Sequence, residues 1–290
     1  MGEELERLTV TVLAEDTVGY EKSLLGQHGL SLLLEAELDG EKRTVLMDVG
    51  QNHTALRFNM DELGVDPRSI DAVILTHCHY DHTGGLAEMV RSIGKSGLPV
   101  IGHPGTFRPH FVTRPFLRHV GVRPEDSREH LEEAGACLYL TREPFPLMPG
   151  LRTTGEVPRQ TAFEEPGIAL STIENGAVVE DQVLDDISVI AELRDRGLVV
   201  LTGCSHAGIV NITRHARTLT GKTRLEGILG GFHLVEASAQ RIEKTVEALQ
   251  GLAPGRIAAG HCTGFPAQAA LHRSFGDRFT PLYSGMHVVW

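Results

Sequence analysis

Apolar and polar positions succeed one another along the chain in short, well-separated runs, and each run matches one kind of element. LTVTVLAED and GLSLLLEAEL read as strands, GEKR as a turn, and RTVLMDVG as a third strand closing on Asp48 and Gly50. A helix is expected over about residues 53–63, closed by Gly64, and then a buried strand in DAVILTH. A further helix is expected over about 84–93, and LPVIGHP returns as a strand. The second half repeats this logic. GIALSTIENGAVV reads as a hairpin turning at Asn175-Gly176, and ISVIAEL, GLVVLTGCSH, LEGILGGFH and RIAAGHC read as strands. Helices are expected over about 209–219, 237–249 and 266–275.

Strands and helices in two successive halves imply an α/β fold, an αββα sandwich of two packed mixed sheets with helices outside. Residues 1–290 are expected to form one domain. The segment 105–133 departs from the pattern. It is rich in Arg, His, Phe and Pro without a clean period, and is expected to be a lid-like insertion.

The formal charge of −11 argues against a partner bound through a phosphate backbone, so no nucleic acid is expected. The acidic opening MGEELERLTV does not read as a secretory leader, and no apolar run is long enough for a membrane span. The cytoplasm is the expected location, and Cys78, Cys137, Cys204 and Cys262 are expected as free thiols. Oligomeric state is not legible here, although a homodimer is compatible with the sequence.

THCHYDH carries the chemistry. It follows the apolar run ILT and places His77, His79, Asp81 and His82 in one turn before two glycines. Side chains two apart at a strand end share a side, and imidazole with carboxylate suits zinc, iron or manganese. His206, His233 and His261 each follow an apolar strand, so they are expected at the same sheet end. His206 and His261 are read as further ligands. His233 stays open between a ligand and a hydrogen-bonded structural histidine. Asp48 closes its strand where a carboxylate would fix the tautomer of a ligating imidazole. Three of the cysteines lie within two residues of these histidines, either for function or as small residues beside a crowded centre.

His77-Cys78-His79-Tyr80-Asp81-His82 resembles the HxHxDH signature of the metallo-β-lactamase superfamily. That resemblance implies His77, His79 and His206 on one metal ion and Asp81, His82 and His261 on a second. It implies two divalent ions, zinc first, with iron, manganese or magnesium as alternatives. Many members bridge the two ions with a carboxylate, but here the corresponding strand ends GILGGFHL, with His233 and no Asp. TGCSHAGIVN, GGFHL and GHCTG resemble a subgroup that includes an archaeal synthase joining a dihydropterin pyrophosphate to an aminobenzene ribosyl phosphate.

A metal-dependent hydrolase or dihydropteroate-synthase-like transferase acting on a small phosphorylated or pyrophosphorylated anion is therefore expected. Asp81 and His233 are the candidates for direct catalytic roles. Arg114, Arg118 and Arg159 are candidates to bind the anion, and Phe107, Phe111 and Phe116 to stack on a planar ring. Asp185 and Asp186 read as turn acids. The alternative is a non-catalytic metal-binding or regulatory protein on the same fold.

Overall fold

A computed structural model of the protein describes residues 4–164 and 169–290. Gly167 and Ile168, which open the expected GIALSTIENGAVV hairpin, lie outside the described residues. The first half comprises strands β1 (Arg7–Ala14), β2 (Ser31–Leu38) and β3 (Glu41–Met47), helix α1 (His53–Glu62) and strand β4 (Ala72–Ile74). Helices α2 (Tyr80–Thr83) and α3 (Leu86–Ile93) and strand β5 (Leu98–Gly102) follow. Next come strands β6 (His110–Val112) and β7 (Arg118–His119), helix α4 (Arg128–Glu133), and strands β8 (Ala136–Leu140), β9 (Pro146–Met148) and β10 (Leu151–Thr153). The second half holds β11 (Ser171–Glu174), β12 (Ala177–Glu180), β13 (Ser188–Leu193), β14 (Gly197–Thr202), α5 (Ile209–Thr220) and β15 (Leu225–Gly231). It closes with α6 (Ala239–Leu252), β16 (Arg256–Gly260), α7 (Phe265–Phe275), β17 (Phe279–Pro281) and β18 (His287–Val289).

Two seven-stranded mixed sheets result, in the orders β18-β1-β2-β3-β4-β5-β8 and β17-β16-β15-β14-β13-β10-β9. Alternation along each strand sends successive side chains to opposite faces. Leu32, Leu34, Val45 and Met47 pack between the sheets against Val189, Ala191, Val199 and Leu201. Leu33, Leu46 and Val73 face the other way, onto α1 and α3 through Leu56, Met60 and Val90. On the far side, Val200 and Ile228 meet α5 and α6 through Ile212, Val246 and Leu249. The order is helix, sheet, sheet, helix.

Several boundaries differ from the sequence expectation. DAVILTH pairs only over Ala72–Ile74, because its last residues leave the ladder to form the histidine turn. The helix expected over 84–93 is α3, starting at Leu86 behind Gly85 at φ +80°, and the short helix α2 precedes it inside the histidine turn, where no helix is expected. Segment 105–133 is not featureless. Its strands β6 and β7 join the β11–β12 hairpin in a third, four-stranded sheet, in the order β12-β11-β6-β7. The hairpin turns at Asn175 (φ +50°) and Gly176 (φ +79°), the positive-φ pair that a two-residue loop requires.

The parallel strands β3, β4, β14, β15 and β16 all end at one edge of the sandwich, where turns carry Asp48, His77–His82, His206, His233 and His261. Open α/β sheets place their ligand sites outside the carboxyl ends of parallel strands.

Candidate metal centre

The turn after β4 is compact because α2 begins at once, with His82 N and Thr83 N donating to His79 O. All four of its candidate donors are buried: His77 and His82 fully, His79 and Asp81 to within 7%. A second turn follows β14, where Gly203 lets the ends of β4 and β14 close on each other. A Cβ at Gly203 would lie 2.1 Å from Thr76 Oγ1. That turn presents Cys204 and His206, both buried. His261 follows β16, in the left-handed region at φ +50°.

The ring nitrogens and carboxylate oxygens converge into two groups. His77 Nε2 lies 3.1 Å from His79 Nδ1, and the His206 ring sits 4.9 Å from that of His77 and 4.8 Å from that of His79. Beside them, Asp81 Oδ2 is 3.3 Å from His261 Nε2 and 3.7 Å from His82 Nε2, and the two imidazole nitrogens are 3.3 Å apart. Ligands about 2.0–2.1 Å from a tetrahedral zinc ion stand about 3.3 Å from each other. The nitrogen and oxygen separations of 3.1–3.7 Å lie close to that spacing. Burial, then the neighbouring His82 and His79, hold His77 well below the ordinary imidazole range, and burial lowers His79 to about 4. Both rings are therefore neutral near pH 7, with a lone pair to offer a cation. The residues present fit two divalent ions.

A layer of acids orients these donors. Asp48 Oδ2 accepts from His82 Nδ1 at 2.6 Å and from Thr76 Oγ1 at 2.6 Å, while Oδ1 accepts from Thr76 N at 2.7 Å. Thr76 Oγ1 in turn accepts from His77 Nδ1 at 3.1 Å. One carboxylate thus fixes two imidazoles with their Nε2 atoms facing inward. Asp16 does the same for His261, with Oδ1 2.9 Å from Nδ1. His28 stands half-exposed at this corner, its Nε2 3.4 Å from Asp81 Oδ2. Asp185 and Asp186 are fully buried rather than simple turn acids. Asp185 Oδ2 accepts from Cys78 N and Asp186 Oδ2 from Ala207 N, each at 2.8 Å, so they clamp the two histidine turns. Burial raises Asp186 to about 7.

The remaining sequence candidates are spread more widely. His233 packs its ring 4.1 Å from that of His206, and its buried Nδ1 has no hydrogen-bond partner among the described residues. Arg159 donates Nη1 to His206 O at 3.0 Å and Nη2 to Val183 O at 2.9 Å, so two of its donors already hold backbone. Arg114 and Arg118 are exposed in the segment around β7. Phe107 packs against the helical layer of the first sheet, beneath the Arg128 guanidinium, whereas Phe116 is 64% exposed. Asp16 and His28 carry no sequence signal, and Cys204 only the open one of lying beside a candidate ligand. Asp16 and His28 sit on a loop far in sequence from their partners and lack a motif; Cys204 is only two residues from His206.

With this geometry in view, the chain matches the metallo-beta-lactamase superfamily over residues 26–210. It belongs to that superfamily. It is 37% identical to the 7,8-dihydropterin-6-methyl-4-(beta-D-ribofuranosyl)-aminobenzene-5'-phosphate synthase of Methanocaldococcus jannaschii, over 97% of this chain and 96% of that one. An uncharacterised protein of the same archaeon is 32% identical over 88% of this chain and 91% of its own. Among solved structures, a metal-dependent hydrolase of the beta-lactamase superfamily superposes with a TM-score of 0.79 at 24% identity, covering 97% and 98% of the two chains. A diphosphatase of the PhnP family superposes at 0.53 with 15% identity, covering 99% and 98%. These two likenesses show the metallo-β-lactamase fold.

Proposed function

We propose that this superfamily member is a two-metal enzyme acting on a small phosphorylated anion, and that it is a transferase releasing pyrophosphate from a pterin-class substrate. The observation that carries the two-metal reading is the pair of converging donor groups, His77/His79/His206 and Asp81/His82/His261, whose close donor atoms, with the His206 ring packed on those of His77 and His79, suit coordination. Identity of 37% over nearly the whole chain to the pterin-pathway synthase favours transfer over hydrolysis.

When bound, a divalent pair supplies Lewis-acid polarisation of phosphoryl oxygens and neutralises the charge that builds on a departing pyrophosphate. The chain's own residues do the rest. Asp48 and Asp16 keep His82 and His261 in the tautomer that faces inward, and Asp81 contributes negative charge that holds cations. The half-exposed His28 stands where a proton can pass between Asp81 and solvent. In the transfer, the carbon–oxygen bond to pyrophosphate breaks, a bond forms to the aromatic acceptor, and the acceptor gives up one proton.

The single-domain organisation and the lid role of 105–133 belong to this proposal. Two contacts support the lid: Tyr80 N donates to Val120 O at 3.0 Å, and the Arg123 guanidinium lies 5.7 Å from the Tyr80 ring centroid. The segment is therefore attached directly to the histidine turn.

Pyrophosphate release from a hydroxymethyl-dihydropterin pyrophosphate, followed with and without an aminobenzene ribosyl phosphate, tests the assignment. Release that requires the acceptor supports transfer. Release that ignores the acceptor makes the enzyme a hydrolase, and no release on metal-loaded protein refutes the substrate class.

A further inference from the structure

Two donor groups that hold one ion each leave a question of charge. Asp81 is the only carboxylate inside the groups described above, so two dications about 3.5–4 Å apart would face each other with little anionic charge between them. Cys204 Sγ sits where such charge is needed. It belongs to the cluster Asp81, His82, Cys204 and His261 and equally to the cluster His77, Cys204 and His206, each with all its donor atoms within 4.8 Å of one another. Its distance to His82 Nε2 is 3.1 Å.

We propose that the Cys204 thiolate is a ligand shared by both metal ions, bridging the two donor groups. The inference rests on the two-metal reading and adds to it a residue that neither the HxHxDH turn nor the strand-end histidines include. A zinc–sulfur bond is about 2.3 Å, so two ions on one sulfur lie no more than about 4.6 Å apart, which accommodates the spacing of two-metal sites. A coordinating thiol is deprotonated outright, which supplies the missing negative charge.

The backbone holds Cys204 in that place. Gly203 lets the turn press against Thr76, and Ser205, at φ +63°, anchors its hydroxyl to Gly231 O at 2.6 Å and to Thr202 Oγ1 at 2.8 Å. The last residue of β15 can carry no side chain toward the site. A Cβ at Gly231 would lie 2.6 Å from Cys262 Sγ and 2.7 Å from Gly203 O, so no side chain can enter from that position. Cys262 itself belongs to neither of those two clusters, only to a third that it forms with Cys204 and His233. A shared thiolate also selects soft or borderline ions such as zinc, iron or cobalt over magnesium.

X-ray absorption fine structure of the full chain loaded with zinc reads this directly. One sulfur per zinc at about 2.3 Å supports the bridge, whereas half a sulfur per zinc, or none, overturns it. The sulfur is then identified by anaerobic cobalt(II) titration of metal-stripped wild type, Cys204→Ser and Cys262→Ser. Wild type should develop a thiolate-to-cobalt charge-transfer band through both equivalents. Cys204→Ser should lose the band and bind cobalt at least tenfold more weakly, while Cys262→Ser keeps it. A band that survives in Cys204→Ser, or vanishes in Cys262→Ser, assigns the sulfur elsewhere and overturns the proposal. Thermal unfolding of each stripped variant checks that it is folded, and the fine structure needs only wild type. Two metal ions bound without sulfur sink this inference alone; no uptake of metal sinks the two-metal reading with it.

Discussion

Replacing Asp48 by Asn should weaken metal binding while leaving the fold in place. Asp48 is fully buried and accepts three hydrogen bonds of 2.6, 2.6 and 2.7 Å from His82 Nδ1, Thr76 Oγ1 and Thr76 N. Asn is isosteric and tolerates the left-handed backbone found here, φ +59°, so the substitution adds no backbone strain. It cannot reproduce three acceptances. If its oxygen keeps Thr76 N, its amide group faces His82 Nδ1 and Thr76 Oγ1. Donor then meets donor, and His82 relieves the conflict by moving its proton to Nε2, the atom that faces the candidate metal position. Loss of such an orienting partner costs about 10–100-fold in metal affinity, or about 1.4–2.8 kcal/mol. Competition against a chromogenic chelator, with zinc and metal-stripped protein, measures the change. The site that includes His82 should weaken most, and His77, held only through Thr76, less. Affinities for both ions within twofold of wild type, in a folded Asp48→Asn protein, would refute the argument that Asp48 sets the tautomer.

Other expectations follow from the same contacts. Glu164 is buried where it accepts from Val210 N and Asn211 N at the start of α5, and burial raises its carboxyl from an ordinary 4.5 to about 7. The folded state therefore binds that proton more tightly than the unfolded chain, so its contribution is complete below about pH 4.5 and is lost as pH rises through about 7, at most roughly 3 kcal/mol. Thermal melts of Glu164→Gln against wild type should favour the variant more at pH 8 than at pH 5; a constant difference would contradict the burial argument. Gly203→Ala places a methyl 2.1 Å from Thr76 Oγ1 and should cost about 1–3 kcal/mol in a denaturant titration, with weakened metal uptake. Leu34→Ala removes a side chain held between the two sheets and should cost about 2–5 kcal/mol by the same titration without altering metal stoichiometry. Zinc at a hundred times its dissociation constant should add about 2.7 kcal/mol to the stability of the chelator-stripped protein, seen as a rise in melting temperature.

Much of this architecture is written in local pattern. The two-sheet layering follows from runs such as SLLLEAEL, whose successive residues Leu32 and Leu33 enter different cores. The histidine turn is visible because its four candidate donors share six positions, and His206 and His261 because each follows an apolar strand. What escaped has a common physical origin. Asp16 meets His261 across 245 residues, and no periodicity encodes such a contact. The start of α5 has Gly208 at its cap and is satisfied by Glu164, about 46 residues upstream, instead of by a local Ser or Asp. Asp126 likewise reaches back to Gly85 N and Ala87 N at the start of α3. Strands β6 and β7 are three and two residues long, too short to show alternation, and become a sheet only by pairing with β11. Cys204 is one small apolar-looking residue in GCSH until the fold brings His82 and His77 around it.

The central claim is that this chain builds two adjacent metal positions from His77, His79 and His206 and from Asp81, His82 and His261. Inductively coupled plasma mass spectrometry on protein purified without added metal, compared with the Asp81→Ala and His79→Ala variants, tests it most directly. The account predicts about two zinc, iron or manganese ions per chain in wild type and a reduced content in each folded variant. A wild-type chain with no bound transition metal, or variants that keep the full complement, would contradict it.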